Sequence, residues 1–207
     1  AYQNLTRFLF GDVRVDIWVE VETVKLPPAL QGKAVNALYQ FEFLASPRGS
    51  RWYLSRRVSE EDSVACRNHQ ELLDPANKSA RNIFLTSVFL ANSARINPNR
   101  PSLAYGLTLG VRAPDYEVER KFWPDAHFEG GYLFRDTMVV EMIPPSREGE
   151  DWQFNFAWQS KNPGGARQSL TYKTLKTGKL QMKVPFGGTA APGISGQLRF
   201  LTSSWNA

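Results

Sequence analysis

Two short rows of ionisable residues carry the densest chemistry in this chain. Asp125, His127 and Glu129 alternate, so on an extended backbone all three side chains project to one side. A carboxylate–imidazole–carboxylate row of this kind can act as acid and base or contribute ligands to a divalent metal. Asp115, Glu117 and Glu119 form a second alternating row close by. If the two segments pair as strands, their carboxylates could collect a calcium ion between them. The alternative is an exposed strand face, with Arg120 and Lys121 between the rows supplying counter-charge.

Other chemical signals are thinner. Cys66 and His69 are three residues apart and share a face if the segment is helical, as a thiolate and its base would need. The competing reading is a semi-buried thiol beside a surface imidazole. The stretch Gly193-Ile194-Ser195-Gly196 echoes a nucleophile elbow but lacks its second framing glycine and lies in a Gly/Pro-rich loop. No glycine-rich phosphate loop precedes a helix with a suitably placed lysine. The single cysteine excludes an internal disulfide and any multi-cysteine metal centre, and no cofactor is implied. One cysteine fits cytoplasm and periplasm alike.

Charge is unevenly distributed. Residues 151–207 carry seven Lys/Arg against one acid, Asp151, a balance of +6, whereas residues 1–150 balance at −1. Lys173, Lys176, Lys179 and Lys183 surround Thr177-Gly178, a hairpin signal. If Leu170, Tyr172, Leu180, Met182 and Val184 face inwards, then Lys173, Lys179 and Lys183 face outwards together. Such a face suits an anionic lipid surface or an acidic protein face. It also suits a solvated face whose counter-charges come from acids upstream. Nucleic acid is disfavoured, because no exposed stacking aromatics or recognition motif accompany the lysines. Trp152, Phe154, Phe156 and Trp158 alternate too regularly for that role and read as core.

The elements that must position these residues are mostly strands. A 42% hydrophobic, 22% charged composition excludes wholesale disorder, and 207 residues suffice for one substantial core. No apolar run approaches the roughly 20 residues of a membrane helix. Residues 5–10 close a short helix that Gly11 ends. Val13, Val15, Ile17, Val19 and Val21 alternate with polar residues and Trp18, a half-buried strand. A second strand places Ala37, Tyr39, Phe41 and Phe43 on one face. After a Pro47-Arg48-Gly49-Ser50 turn, a third spans 51–58 with Trp52, Leu54 and Val58 on one side. A helix over 60–73, capped by Ser59, is expected next. Residues 83–90 read as a strand, as do 103–111. Residues 116–120 continue after Pro114, and 128–143 forms a long strand bent at Gly130-Gly131. Strands over 152–158, 170–172, 180–184 and around Leu198 and Phe200 complete the count. The expectation is a single mainly β domain over residues 1–207. It is an antiparallel sandwich or barrel of about nine or ten strands with one or two short helices.

Residues 2–16, Tyr2-Gln3-Asn4-Leu5-Thr6-Arg7-Phe8-Leu9-Phe10-Gly11-Asp12-Val13-Arg14-Val15-Asp16, and residues 128–136, Phe128-Glu129-Gly130-Gly131-Tyr132-Leu133-Phe134-Arg135-Asp136, resemble the β-rich C-terminal region of bacterial lipase-like α/β-hydrolases. The resemblance covers about a tenth of the chain. It implies that residues 1–11 end the last helix of a preceding hydrolase domain in the same polypeptide. It also implies that nucleophile, acid and histidine all lie before Ala1, so that this chain is a noncatalytic accessory domain of an esterase or lipase. Two alternatives stay open: a self-standing binding module for lipid, polysaccharide or protein, and a β-sandwich enzyme using the Asp125/His127/Glu129 row.

Overall fold

The computed structural model describes residues 2–47, 53–57, 65–95, 97, 99–119, 126–147, 149–162 and 166–206. In chain order the elements are α1 (Tyr2–Phe10), β1 (Val13–Lys25), β2 (Val35–Asn36), β3 (Leu38–Pro47), β4 (Ser55–Arg57), β5 (Cys66–Asn68), α2 (His69–Leu73), α3 (Lys78–Arg81), β6 (Asn82–Leu90), β7 (Leu103–Val118), β8 (Ala126–Ile143), β9 (Gln153–Trp158), β10 (Gln168–Ser169), β11 (Lys173–Thr174), β12 (Leu180–Gly187) and β13 (Gly193–Ser204).

These strands form two antiparallel sheets that do not close into a barrel, so the architecture is a sandwich. One sheet has the order β11-β12-β13-β1-β6; the other runs β10-β9-β8-β7-β3-β4, with β2 on β7 and β5 on β3. The alternation read in the sequence decides which side chains meet between them. Val13, Val15, Ile17, Val19 and Val21 of β1 are buried, and so are Leu198 and Phe200 of β13. Across the interior lie Tyr39, Phe41 and Phe43 of β3, Leu107, Leu109 and Val111 of β7, and Met138 and Val140 of β8. Each fully buried side chain of this size contributes about 1.5–3 kcal/mol of burial. Phe154 and Trp158 belong to the same core, with Trp152 and Phe156 packed against it.

Several sequence expectations change. The described strands number thirteen and the α-helices three, because two- and three-residue strands carry no readable periodicity. Where a helix over 60–73 was expected, residues 66–68 form β5, which pairs with Leu38–Gln40 of β3. Only His69–Leu73 is helical. Its start is fixed by the Asn68 amide, which donates to Glu71 Oε2 at 2.9 Å. The Ser59 cap and the first part of that helix, like Arg48, Gly49, Ser50, Trp52 and Val58, lie outside the described residues. Leu54 is buried, and residues 55–57 pair with β3 as β4.

The strand continues past Pro114, as expected. β7 runs through it, and its last residues pair with the start of β8. Gly130 makes this pairing feasible: a Cβ there would lie 2.0 Å from the Ala113 carbonyl oxygen. The irregularity expected at Gly130-Gly131 falls instead beside Leu133, where the register shifts between Val111↔Phe134 and Arg112↔Tyr132.

Candidate functional site

The β7–β8 ladder brings the two ionisable rows together. Asp115 lies opposite Glu129, and Glu117 opposite His127. His127 Nδ1 is 3.8 Å from Asp115 Oδ2, and its Nε2 is 3.5 Å from Glu117 Oε1. The cluster is open to solvent, with the His127 side chain 64% exposed. Glu119 is turned to a different partner and accepts from Asn36 Nδ2 at 3.1 Å. Asp125 lies outside the described residues, as do Arg120 and Lys121. Among the described residues no group of three or more His, Cys, Asp or Glu side chains converges closely enough to hold a metal ion. The arrangement is a solvated cross-strand charge cluster at one end of a long hairpin.

His69 is committed elsewhere. It is buried, and its Nδ1 shares a 2.7 Å hydrogen bond with the Tyr39 hydroxyl, which donates when the ring proton is on Nε2 and accepts when it is on Nδ1. Burial lowers its pKa and raises that of Tyr39. Cys66 sits on β5, in an extended segment, so the shared helical face assumed for a thiol–imidazole pair does not form. Ser195 is an ordinary strand residue of β13, paired with Thr23 and Gly187.

The basic C-terminal end meets its counter-charges. A hairpin forms around Thr177-Gly178 as expected, but its first arm is Lys173–Thr174 rather than 170–172, with Gly178 at φ +76° and its amide donating to the Leu175 carbonyl. On the outer face of this sheet, Lys179 Nζ lies 3.5 Å from Asp16 Oδ2, while Lys183 pairs with Glu20. Arg199 approaches the same Glu20 at 2.6 Å, and Arg167 pairs with Glu141 on the other sheet. Four of the seven basic side chains of residues 151–207 are thus matched by acids from β1 and β8. Among the described residues, Lys173 and Lys176 stay exposed without such a partner. Asp16 is the centre of this balance. It also accepts from Arg14 Nε at 2.7 Å and Ser87 Oγ at 2.6 Å. Burial alone would raise its pKa, but the hydrogen bonds from Ser87 and Arg14 and the charges of Arg14 and Lys179 outweigh it and hold the carboxyl below its ordinary value.

Two features escaped the sequence reading. The first is the side of α1 that nothing covers among the described residues. Asn4 Nδ2 donates to the Tyr53 and Leu54 carbonyls at 3.1 Å, and Phe8 packs on Phe89 and Trp205. Trp205 Nε1 and Asn206 Nδ2 donate to the terminal carbonyls of Phe8 and Leu9, closing the helix end. With that side docked, Tyr2, Leu5, Leu9 and Phe10 are exposed. The helical spacing of these residues was visible, but which side the sandwich would cover was not.

The second is a groove on the outer face of the larger sheet. It encloses about 340 Å³ and is lined by Glu42, Leu44, Tyr53, Arg56, Thr108, Gly110 and Arg135. Gly110 forms part of its floor; a Cβ there would sit 3.2 Å from both Glu42 Oε2 and Tyr132 Cε1. The Tyr132 hydroxyl donates to Glu42 Oε2 at 2.8 Å, and the Arg135 guanidinium lies 4.9 Å from the Tyr132 ring centroid. Among the described residues, neither Arg56 nor Arg135 has a carboxylate within ion-pair distance, whereas Arg112 faces Glu42 at 3.7 Å. The signal was present in Ala104, Gly106, Thr108 and Gly110, four small residues on the outer side of one strand.

Comparison with protein-family models, with curated proteins and with solved structures returns no match. The function must therefore be argued from this geometry and from the local resemblance of residues 2–16 and 128–136.

Proposed function

We propose that this chain is a noncatalytic accessory domain of a lipase-like hydrolase, seated against its neighbour through the apolar side of α1. The observation that carries this reading is the exposure of Tyr2, Leu5, Leu9 and Phe10 on a helix whose opposite side is anchored to the sandwich. A continuous apolar patch on a fixed helix costs solvation free energy unless something covers it. The sequence of that helix is also what resembles the end of a hydrolase domain. The lysines of the C-terminal hairpin support docking on an anionic surface less well, because Lys179 and Lys183 are already paired.

The reading is supported further by the environments of the two histidines. One is buried against Tyr39, and the other stands exposed between Asp115 and Glu117. The test is the intact mass of the native gene product. A species far heavier than 23.4 kDa, carrying hydrolase activity that survives His69→Gln and His127→Ala together, is expected. A native product of about this mass would overturn it, as would activity lost with His127→Ala in a folded protein.

A further inference from the structure

We infer that the groove on the outer face of the larger sheet is a binding site for a carboxylate-bearing sugar unit, such as a uronic acid residue of an acidic polysaccharide. This site meets α1 only at Tyr53, whose carbonyl accepts from Asn4, and it does not depend on the docking role given to that helix.

The argument starts from two cations. Arg56 of β4 and Arg135 of β8 reach one concavity from different strands, and neither has a carboxylate partner among the described residues. Elsewhere Arg14, Arg112, Arg167 and Arg199 are matched to acids, and Arg67, Arg81 and Arg95 donate to carbonyl or amide oxygens. Planar guanidiniums left unmatched at a cleft suit bidentate recognition of a carboxylate.

The rest of the lining narrows the ligand class. Glu42 projects into the same groove and repels any anion brought beside it, so a ligand carboxylate belongs on the Arg56 and Arg135 side and neutral hydroxyls belong on the Glu42 side. Its Oε2 accepts from Tyr132 and its Oε1 faces Arg112, which leaves lone pairs free for a ligand hydroxyl. Thr108, hydrogen-bonded to Thr137 at 2.8 Å, adds a hydroxyl that can both donate and accept. Tyr53 and Tyr132 are half-exposed, and a tyrosine ring gives the apolar face of a pyranose a flat surface. The glycine at 110 keeps the floor low enough for a ring to enter. A volume of about 340 Å³ lies at the small end of ligand sites and matches one or two sugar rings. Carboxylate, hydroxyls and an apolar ring face on one small ligand would use every group present.

Calorimetric titration of the full chain with trigalacturonic acid tests this, with the neutral galactose trisaccharide and glutarate as controls. The acidic trisaccharide is expected to bind about tenfold or more tightly than either control, because each control lacks one set of contacts. Arg56→Gln and Arg135→Gln should each weaken it by about tenfold. Gly110→Ala, which fills the floor and presses on Glu42 and Tyr132 without removing a charge, should weaken it as well. Thermal midpoints close to wild type for the arginine variants, whose side chains are exposed, would confirm the fold. Equal binding of glutarate would show a simple anion site and overturn the proposal. So would no binding of the acidic trisaccharide, or binding that the arginine variants leave unchanged.

Discussion

Replacing Asp16 with Asn tests whether the basic end of the chain is held in internal charge balance. Oδ1 accepts from Arg14 and Ser87, and Oδ2 faces Lys179. Asparagine can keep the first two bonds through its carbonyl oxygen, but its amide then points two donors at an ammonium group. The two retained bonds lose their ionic partner, and the difference between a charged and a neutral hydrogen bond is about 0.5–2 kcal/mol each. Arg14 is 34% and Lys179 36% exposed, so solvent screens part of the attraction. A net cost of about 2 kcal/mol at pH 7 follows, a fall in Tm of about 4–8 °C for a domain of this size. The pH dependence adds a second constraint. The folded carboxyl titrates below its ordinary 3.8, so its contribution is present above that value. As pH falls through 3.8 the unfolded chain takes up the proton first, and the contribution is lost. Urea unfolding of both proteins should therefore show a penalty that shrinks once the pH drops below 3.8. A variant within about 0.5 kcal/mol of wild type at pH 7 would refute the reasoning. So would a penalty that stays constant down to about pH 2.

Three further outcomes are expected. Glu20→Gln should leave Lys183 and Arg199 unmatched and raise the affinity of the chain for phosphatidylserine vesicles in a flotation assay at low salt, the wild type binding less. Tyr39→Phe should cost about 1–3 kcal/mol by stranding the buried His69 Nδ1. Because burial lowers the folded pKa of His69, its neutral form supports stability fully above about pH 6.5, and that support declines as pH falls below it; chemical denaturation across this range checks the sign. Gly130→Ala should destabilise by about 3 kcal/mol, read by thermal unfolding, because its methyl group would overlap the Ala113 backbone carbonyl.

Much of the sandwich could be read from side-chain alternation. Residues 13–21 and 103–111 each bury one face, and period two is then dictated by the core. The aromatic row from Trp152 to Trp158 was legible for the same reason. The strand at Cys66–Asn68 was not, since three residues show no period and its partner, Leu38–Gln40, lies far back in the chain. Continuation past Pro114 was legible, whereas the glycine that makes room for the pairing sits on the opposite strand. The charge balance was hidden by distance along the sequence: Asp16 and Glu20 meet Lys179 and Lys183 across 163 residues. Only the order β12-β13-β1 brings them together. The groove was overlooked because the inward Leu107 and Leu109 drew attention from the small residues that alternate with them.

Hydrogen–deuterium exchange of α1, in the native gene product and in the isolated 207-residue chain, tests the central claim most directly. If a neighbouring domain covers Tyr2, Leu5, Leu9 and Phe10, the helix amides should exchange more slowly in the native product, and Leu5→Glu with Leu9→Glu should abolish the difference. Equal exchange in the two forms would contradict the proposed seat of this domain.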